Sequence, residues 1–337
     1  MGSDRFFGFG DLCELRACKI QCEVFVLKVT WKKNASRTIM LCTIMLSATI
    51  LALVFSACEF GSPLYLYGGT SVDSRSRKIK TLQDADIPQI EGTPAKYSFV
   101  ILTDAHFGTE KVERREKEFL QKLDSLLQGE LPPRFIVNLG DTLNAGRESE
   151  ADLFNAASQS WREKAAEKGA AGFKVYSILG NHDLYNGGWK FWEEKIWPCF
   201  SYYKFFVNAS SGGNGFWFYF LDSANGTLGA SQFEDLEKNL AADAGAKIVF
   251  CHYPVFDEQN GQYHFALGDT MERNKLLAIF ARHNVKWVFT GHTHNYGEHD
   301  FGKFVEVIVP SYVFKKKFAL VTVDEASGKV EYEIMEY

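Results

Sequence analysis

The sequence predicts an α/β fold, two mixed β-sheets packed face to face and flanked by helices. Three observations predict it. From Lys96 to Thr290, apolar runs of strand length alternate with helical patterns, the signature of parallel β-α-β units with helices on the sheet faces. Toward the C-terminus, Phe304 to Val309, Phe318 to Val323 and Lys329 to Met335 read as strands with no helices between them. Asn208 to Asp222 reads as a hairpin turning at Gly212-Gly213-Asn214-Gly215, since paired glycines supply the positive φ of a tight turn. The charged fraction of 23% and apolar fraction of 46% are ordinary for a folded chain, so nothing argues for disorder or a fibrous repeat.

Residues 1–57 are expected to be an N-terminal extension with a lipoprotein-type signal segment. Lys32, Lys33 and Arg37 form a basic patch, and Thr38 to Ala57 is an uncharged, mostly apolar run ending Leu53-Val54-Phe55-Ser56-Ala57-Cys58. Basic flank, apolar core and small residues before a cut are the parts of a secretory signal. A cysteine directly after Ser-Ala resembles a bacterial lipobox, although Phe55 stands where that motif usually has Leu. The resemblance implies lipidation at Cys58 and an exported, membrane-associated protein. An uncleaved membrane helix is the other reading, because the run is about long enough to span. Residues 58–95 are expected to be a tether, with turn and linker chemistry at Gly61-Ser62-Pro63, Gly68-Gly69-Thr70-Ser71 and Ser74-Arg75-Ser76-Arg77. Of the seven cysteines only Cys199 and Cys251 fall in the folded part, 96–337, so no disulfide framework is implied.

Within 96–337 the elements follow in order. Tyr97 to Thr103 is a strand. Glu110 to Gly129 is a helix, with Phe119, Leu120, Leu123, Leu126 and Leu127 on one face and charges on the other. Arg134 to Leu139 is a strand, Glu148 to Lys168 a helix closed by Gly169, and Val175 to Leu179 a strand. Ser231 reads as the N-cap of a helix to Leu240, with Glu234 completing a capping box. Lys247 to Cys251 is a strand, Met271 to His283 a helix, and Val285 to Thr290 a strand.

Five of these strands run straight into polar residues: Asp104-Ala105-His106, Gly140-Asp141, Gly180-Asn181-His182-Asp183, His252, and Gly291-His292-Thr293-His294. Ligands in open α/β sheets gather at the carboxyl ends of the strands, so these ends read as one site. Carboxylate oxygen, amide oxygen and imidazole nitrogen suit Mn, Fe and Zn, and no cysteine is in the set. Ligands at i and i+2 in extended chain point the same way. Asp141 stands alone between groups and has two oxygens with which to bridge. Two divalent ions about 4 Å apart would hold a hydroxide between them and clamp a phosphoryl group.

Asp-x-His, Gly-Asp, Gly-Asn-His-Asp, a single His and Gly-His-x-His, in that order, resemble the calcineurin-like metallophosphoesterases over about residues 97 to 335. Each motif alone is a weak signal; the ordered set on strand ends is a strong one. The resemblance implies that Asp104, His106, Asp141 and His294 hold one metal ion. It implies that Asp141, Asn181, His252 and His292 hold the other. His182 matches the histidine that contacts the scissile phosphate and can protonate the leaving group, and Asp183 is expected just behind the ligands, without binding a metal itself. Many members carry a second Asp, in Gly-Asp-x-x-Asp, that orients this histidine; here the place holds Asn144. Arg147 and His264 are the candidates for substrate contact. The family's β-sandwich with flanking helices agrees with the elements above.

The expected function is hydrolysis of a phosphate monoester or diester on an exported, tethered protein. A nuclease of the same superfamily and a non-catalytic surface lipoprotein are the alternatives. The net charge of -5 argues against nucleic acid as a partner, which wants a basic face. A full set of buried ligands kept without use argues against the non-catalytic reading, because unpaired buried polar groups are costly.

Overall fold

The structure is a computed structural model that describes residues 70–88, 90, 96–209, 215–256 and 266–337. Cys58, the signal-like segment before it and His264 lie outside the described residues. In chain order the elements are α1 (Val72–Arg75), β1 (Lys80–Thr81), β2 (Lys96–Leu102), α2 (Val112–Leu127), β3 (Pro133–Asn138), α3 (Glu148–Glu167) and β4 (Lys174–Ser177). A 3-10 turn at His182–Gly187 leads to α4 (Trp189–Lys195), β5 (Tyr203–Val207), β6 (Phe216–Phe220), α5 (Gly229–Ala242), β7 (Ala246–Phe250), α6 (Thr270–Arg282) and β8 (Val285–Thr290). The chain ends with β9 (Gly297–Asp300), β10 (Val305–Ile308), α7 (Tyr312–Lys315), β11 (Lys317–Asp324) and β12 (Lys329–Glu336).

Two mixed sheets result, as the alternation predicts. One has the order β1-β5-β6-β7-β8-β10-β9, the other β12-β11-β2-β3-β4. Successive side chains of a strand face opposite ways, and the core is sorted accordingly. Phe99, Ile101, Phe135 and Val137 point inward against Phe205, Phe218, Phe250 and Phe289 of the other sheet. Val100, Leu102 and Ile136 point outward under Phe119 and Leu123 of α2 and Phe154 and Trp161 of α3. On the far side, Tyr219, Val249 and Val288 lie under Leu236 and Leu240 of α5 and Ile279 and Phe280 of α6. The inner layer is rich in aromatic rings. Phe99 and Phe135 stack at 4.7 Å, and Phe99 meets Phe218 edge-on at 5.7 Å. Such pairs add about 0.5–1.5 kcal/mol each beyond area burial.

Several boundaries move for physical reasons. Part of the expected tether is folded into the domain. Arg75, with its side chain only 1% exposed, pairs with Asp222, Ser76 donates to Asp222 at 2.8 Å, and β1 runs parallel to β5 at the sheet edge. A Ser- and Arg-rich stretch reads locally as linker, but its buried acceptor lies far along the chain. The same segment overrides the Ser231 cap. Helix α5 begins at Gly229, and the Ser231 N–H donates to Asp73 of α1 at 2.9 Å. The hairpin forms from β5 and β6, so its first strand precedes Asn208. Strand β9 and helix α7 carry too few residues to leave a periodic signal.

Candidate metal centre

Strands β2, β3 and β4 are parallel neighbours in one sheet, and β7 and β8 in the other. Their carboxyl ends meet, and the five polar turns meet with them. Main-chain bonds lock turn to turn: Asp104 N–H donates to Gly140 O at 3.1 Å, His106 N–H to Asp141 O at 2.9 Å, and Gly291 N–H to His252 O at 2.9 Å. Bonds also cross between the sheets. His292 N–H donates to Asp104 Oδ2 at 3.1 Å, and the His252 ring, through Nδ1, to Leu139 O at 2.9 Å. The Gly140 and Gly180 turns touch backbone to backbone. A Cβ on Gly140 would stand 2.7 Å from the Leu179 carbonyl carbon, and one on Gly180 2.8 Å from Asp141 Cγ. Asp104, His106, Asp141, His292 and His294 all adopt left-handed backbone, with φ between 44° and 66°. Side chains tolerate that region poorly, Asp and His less so than most, and such strain gathers at functional sites.

Two groups of ligand atoms result. Those of Asp104, His106, Asp141 and His294 lie within 4.8 Å of one another, as do those of Asp141, His252 and His292. Asn181 joins the second group, its Oδ1 3.2 Å from His252 Nε2. Asp141 belongs to both. In each group two imidazole nitrogens face each other at 3.3 Å: His106 Nε2 with His294 Nε2, and His292 Nδ1 with His252 Nε2. Nitrogens so aimed direct lone pairs at a common point, which suits a cation between them. Asp104 Oδ1 is buried, with His294 Nε2 near it, at 3.4 Å. The residues therefore fit two divalent ions, one per group.

The charges are strongly coupled. Burial opposes the ionised form of Asp141, but the His252, His182 and His106 rings around it hold its carboxyl far below the usual range. Burial also opposes a charged His252, yet Asp141 at 3.4 Å and Asp104 raise it to about 9. His292, desolvated and next to His252, falls to about 3, and His106, desolvated, to about 4. Protons and metal ions compete for these nitrogens, so metal binding releases protons.

His182 stands outside both groups, its ring edge-on to His106 at 4.6 Å. Its Nδ1 lies 2.7 Å from the main-chain carbonyl oxygen of Asn144. The orienting group expected from the Asn144 side chain is therefore backbone, because the turn brings the carbonyl to the ring. Asp183 is fully buried and braces the turn. Its Oδ1 accepts from Leu143 N–H at 2.7 Å and its Oδ2 from Gly180 N–H at 2.8 Å. Burial, with Asp141 nearby, pushes its carboxyl up to about 8. Arg147 is exposed where α3 begins, its main-chain N–H donating to the Glu150 carboxylate at 3.1 Å.

Sequence reasoning missed four neighbours. Thr103 Oγ1 donates to Asp104 Oδ2 at 2.8 Å, and Ser311 Oγ to Asp104 O at 2.9 Å. Tyr253 stacks on His292 at 3.9 Å, and Phe314 on His294 at 5.0 Å. Thr103 and Tyr253 adjoin motif residues and were findable by adjacency. Ser311 and Phe314 carry no local signal.

Residues 97–296 match the profile of the Metallophos family, calcineurin-like phosphoesterase. No curated protein matches the chain. Among solved structures, the chain is similar to Plasmodium GAP50, the anchor in the inner membrane complex, at 16% identity and TM-score 0.51, covering 72% of this chain and 89% of that one. A dimetal phosphatase from Danio rerio aligns at 12% identity and TM-score 0.49, covering 72% and 99%. A 5'-nucleotidase assigned in Staphylococcus aureus aligns at 14% and 0.43, covering 72% and 53%.

Proposed function

The chain belongs to the calcineurin-like phosphoesterase family, a family of metallophosphoesterases, and we propose that its site hydrolyses a phosphate monoester or diester with two divalent ions of the Mn, Fe or Zn type. The observation that carries this reading is the pair of ligand groups sharing Asp141, each with two imidazole nitrogens facing at 3.3 Å. Asp104, His106, Asp141 and His294 would hold one ion, and Asp141, Asn181, His252 and His292 the other. Two such ions would lower the pKa of water so that it can serve as the nucleophile, and would offer positive charge to the phosphoryl oxygens.

The chain's own groups do the rest. Asp141 Oδ1 accepts the His182 N–H at 2.8 Å, so the shared ligand also fixes the turn that carries His182. The Asn144 carbonyl can only accept, which keeps the proton on Nδ1 and leaves Nε2 as the nitrogen that gains and loses one. Protonated Nε2 then meets the departing oxygen and donates to it. Tyr185 backs the imidazole at 4.5 Å and accepts from Asn181 at 3.2 Å, tying the two neighbouring turn residues together.

The reading extends to an exported protein held at a membrane through a lipid on Cys58. The basic patch, the apolar run and Ser56-Ala57-Cys58 support it. The acidic balance supports a small ester rather than nucleic acid. The test is a panel of monoesters and diesters assayed on the detergent-extracted full chain with Mn, Fe, Zn and Co added separately. Turnover that depends on metal and saturates with ester is expected; no turnover with any metal on any ester would leave a binding protein.

A further inference from the structure

Resting on that phosphoesterase reading, we propose that Phe314 is a specificity-determining wall on the leaving-group side of the site, and that the substrates are esters whose leaving group carries a flat aromatic ring. Phe314 is a large apolar side chain left 41% exposed, and it sits directly on the metal centre. Its ring stacks on His294 at 5.0 Å and tilts against His106 at 5.3 Å. Its place is geared to a ligand through one hydroxyl: Ser311 Oγ donates to Asp104 O at 2.9 Å and accepts the Phe314 N–H at 3.2 Å. That hydroxyl fixes α7 relative to Asp104, and with it the ring.

Two rings border His106 of the first ligand group. His182 meets His106 edge-on at 4.6 Å, and Phe314 tilts against the same ring at 5.3 Å. A leaving oxygen that takes its proton from His182 is released beside His106, within reach of Phe314 for the group attached to it. A flat ring gains most from such a surface, because aromatic faces pack on one another in offset or edge-on geometry. Lys111 Nζ lies 5.7 Å from the Phe314 centroid, near the outer limit of a cation–π contact, on an exposed side chain. It can swing aside for a ring and stay close enough to meet an anionic substituent. The alternative, that Phe314 only shields the ligand imidazoles from water, predicts no preference among leaving groups.

The test separates this inference from the hydrolytic one. Binding of methylphosphonate, phenylphosphonate and a nucleoside 5'-phosphonate to the metal-loaded full chain is measured by calorimetry, for wild type, Phe314→Leu and Phe314→Trp at matched metal content. Ring-bearing ligands should bind about 2- to 12-fold tighter than methylphosphonate. Phe314→Leu should abolish that ratio and Phe314→Trp should restore it. Preference for phenyl alone points to short aryl esters, and preference for the nucleoside to nucleotides. An unchanged ratio in Phe314→Leu, or equal weakening of all three ligands, overturns the proposal. Hydrolysis of the matching esters is scored separately: a ring preference without turnover keeps the subsite and removes the hydrolase, and turnover without a ring preference does the reverse.

Discussion

His182 is aimed by the carbonyl oxygen of Asn144, 2.7 Å from Nδ1, and not by a side chain. Any residue at position 144 carries that carbonyl. We therefore predict that Asn144→Ala changes turnover little, whereas His182→Ala keeps its metals and loses general-acid help worth about 10²–10⁴-fold. The loss should fall on alkyl esters, whose alkoxides need a proton, and spare nitrophenyl esters. The ratio of kcat/KM for the two ester types, at matched metal content, measures it. Equal losses would make His182 a phosphate-binding group, and loss of metal would make it a ligand.

Asp141→Asn should remove nearly all hydrolysis and at least one metal ion. The carboxylate is shared by both ligand groups, and one oxygen already accepts the His182 N–H. The amide is the same size, so the circular dichroism spectrum should persist. Near-normal turnover by metal-replete Asp141→Asn protein contradicts the two-ion centre.

Asp183→Asn should destabilise the domain without touching substrate. Both carboxylate oxygens accept main-chain N–H groups, from Leu143 and Gly180. An amide must set its own NH2 against one of them, and an unsatisfied buried donor costs about 1–3 kcal/mol. For a domain of this size that lowers Tm by about 2–4 °C per kcal/mol. A metal content below wild type should accompany it, because the two turns carry Asp141 and Asn181. Unchanged Tm and metal content would show that the clamp does not matter.

Glu116 makes stability depend on pH. Burial raises its carboxyl to about 7, against the pull of hydrogen bonds from Trp161 Nε1 at 2.7 Å and Tyr312 OH at 3.1 Å. The folded state thus holds a proton that the unfolded state has already released. Stability is fully present below the unfolded value near 4.5 and falls as pH rises toward 7. One pKa unit is about 1.4 kcal/mol, so the upper limit of the loss is about 3 kcal/mol. Glu116→Gln keeps an acceptor and cannot ionise, and its urea midpoint should fall less than the wild-type midpoint between pH 5 and 7. Parallel pH curves for the two proteins rule this out.

Cys58→Ala should abolish lipid labelling and release the protein from membranes. A single acyl chain holds only marginally and two or more hold stably, so wild-type protein should sediment with vesicles. Continued labelling of the mutant, or mature protein that retains residues 1–57, refutes the anchor.

The two-sheet α/β architecture, and the placing of each ligand candidate at a strand end, were legible in the amino-acid order. Each of those signals is local. An apolar run reports a buried strand, and the Asp, Asn or His that ends it reports a turn at the sheet's carboxyl edge. Asp104, Asp141, Asn181, His252 and His292 could be placed in this way because strand and turn are neighbours in the chain. Tertiary structure alone decided how those turns face one another. It put the Asn144 carbonyl against His182, made Asp73 the partner of Ser231 N–H, buried Arg75 on Asp222 and laid Phe314 on His294. Each of these contacts joins residues from different elements, and nothing near either partner in sequence records the other. Periodicity fixes which face of an element is buried; only packing fixes what it is buried against.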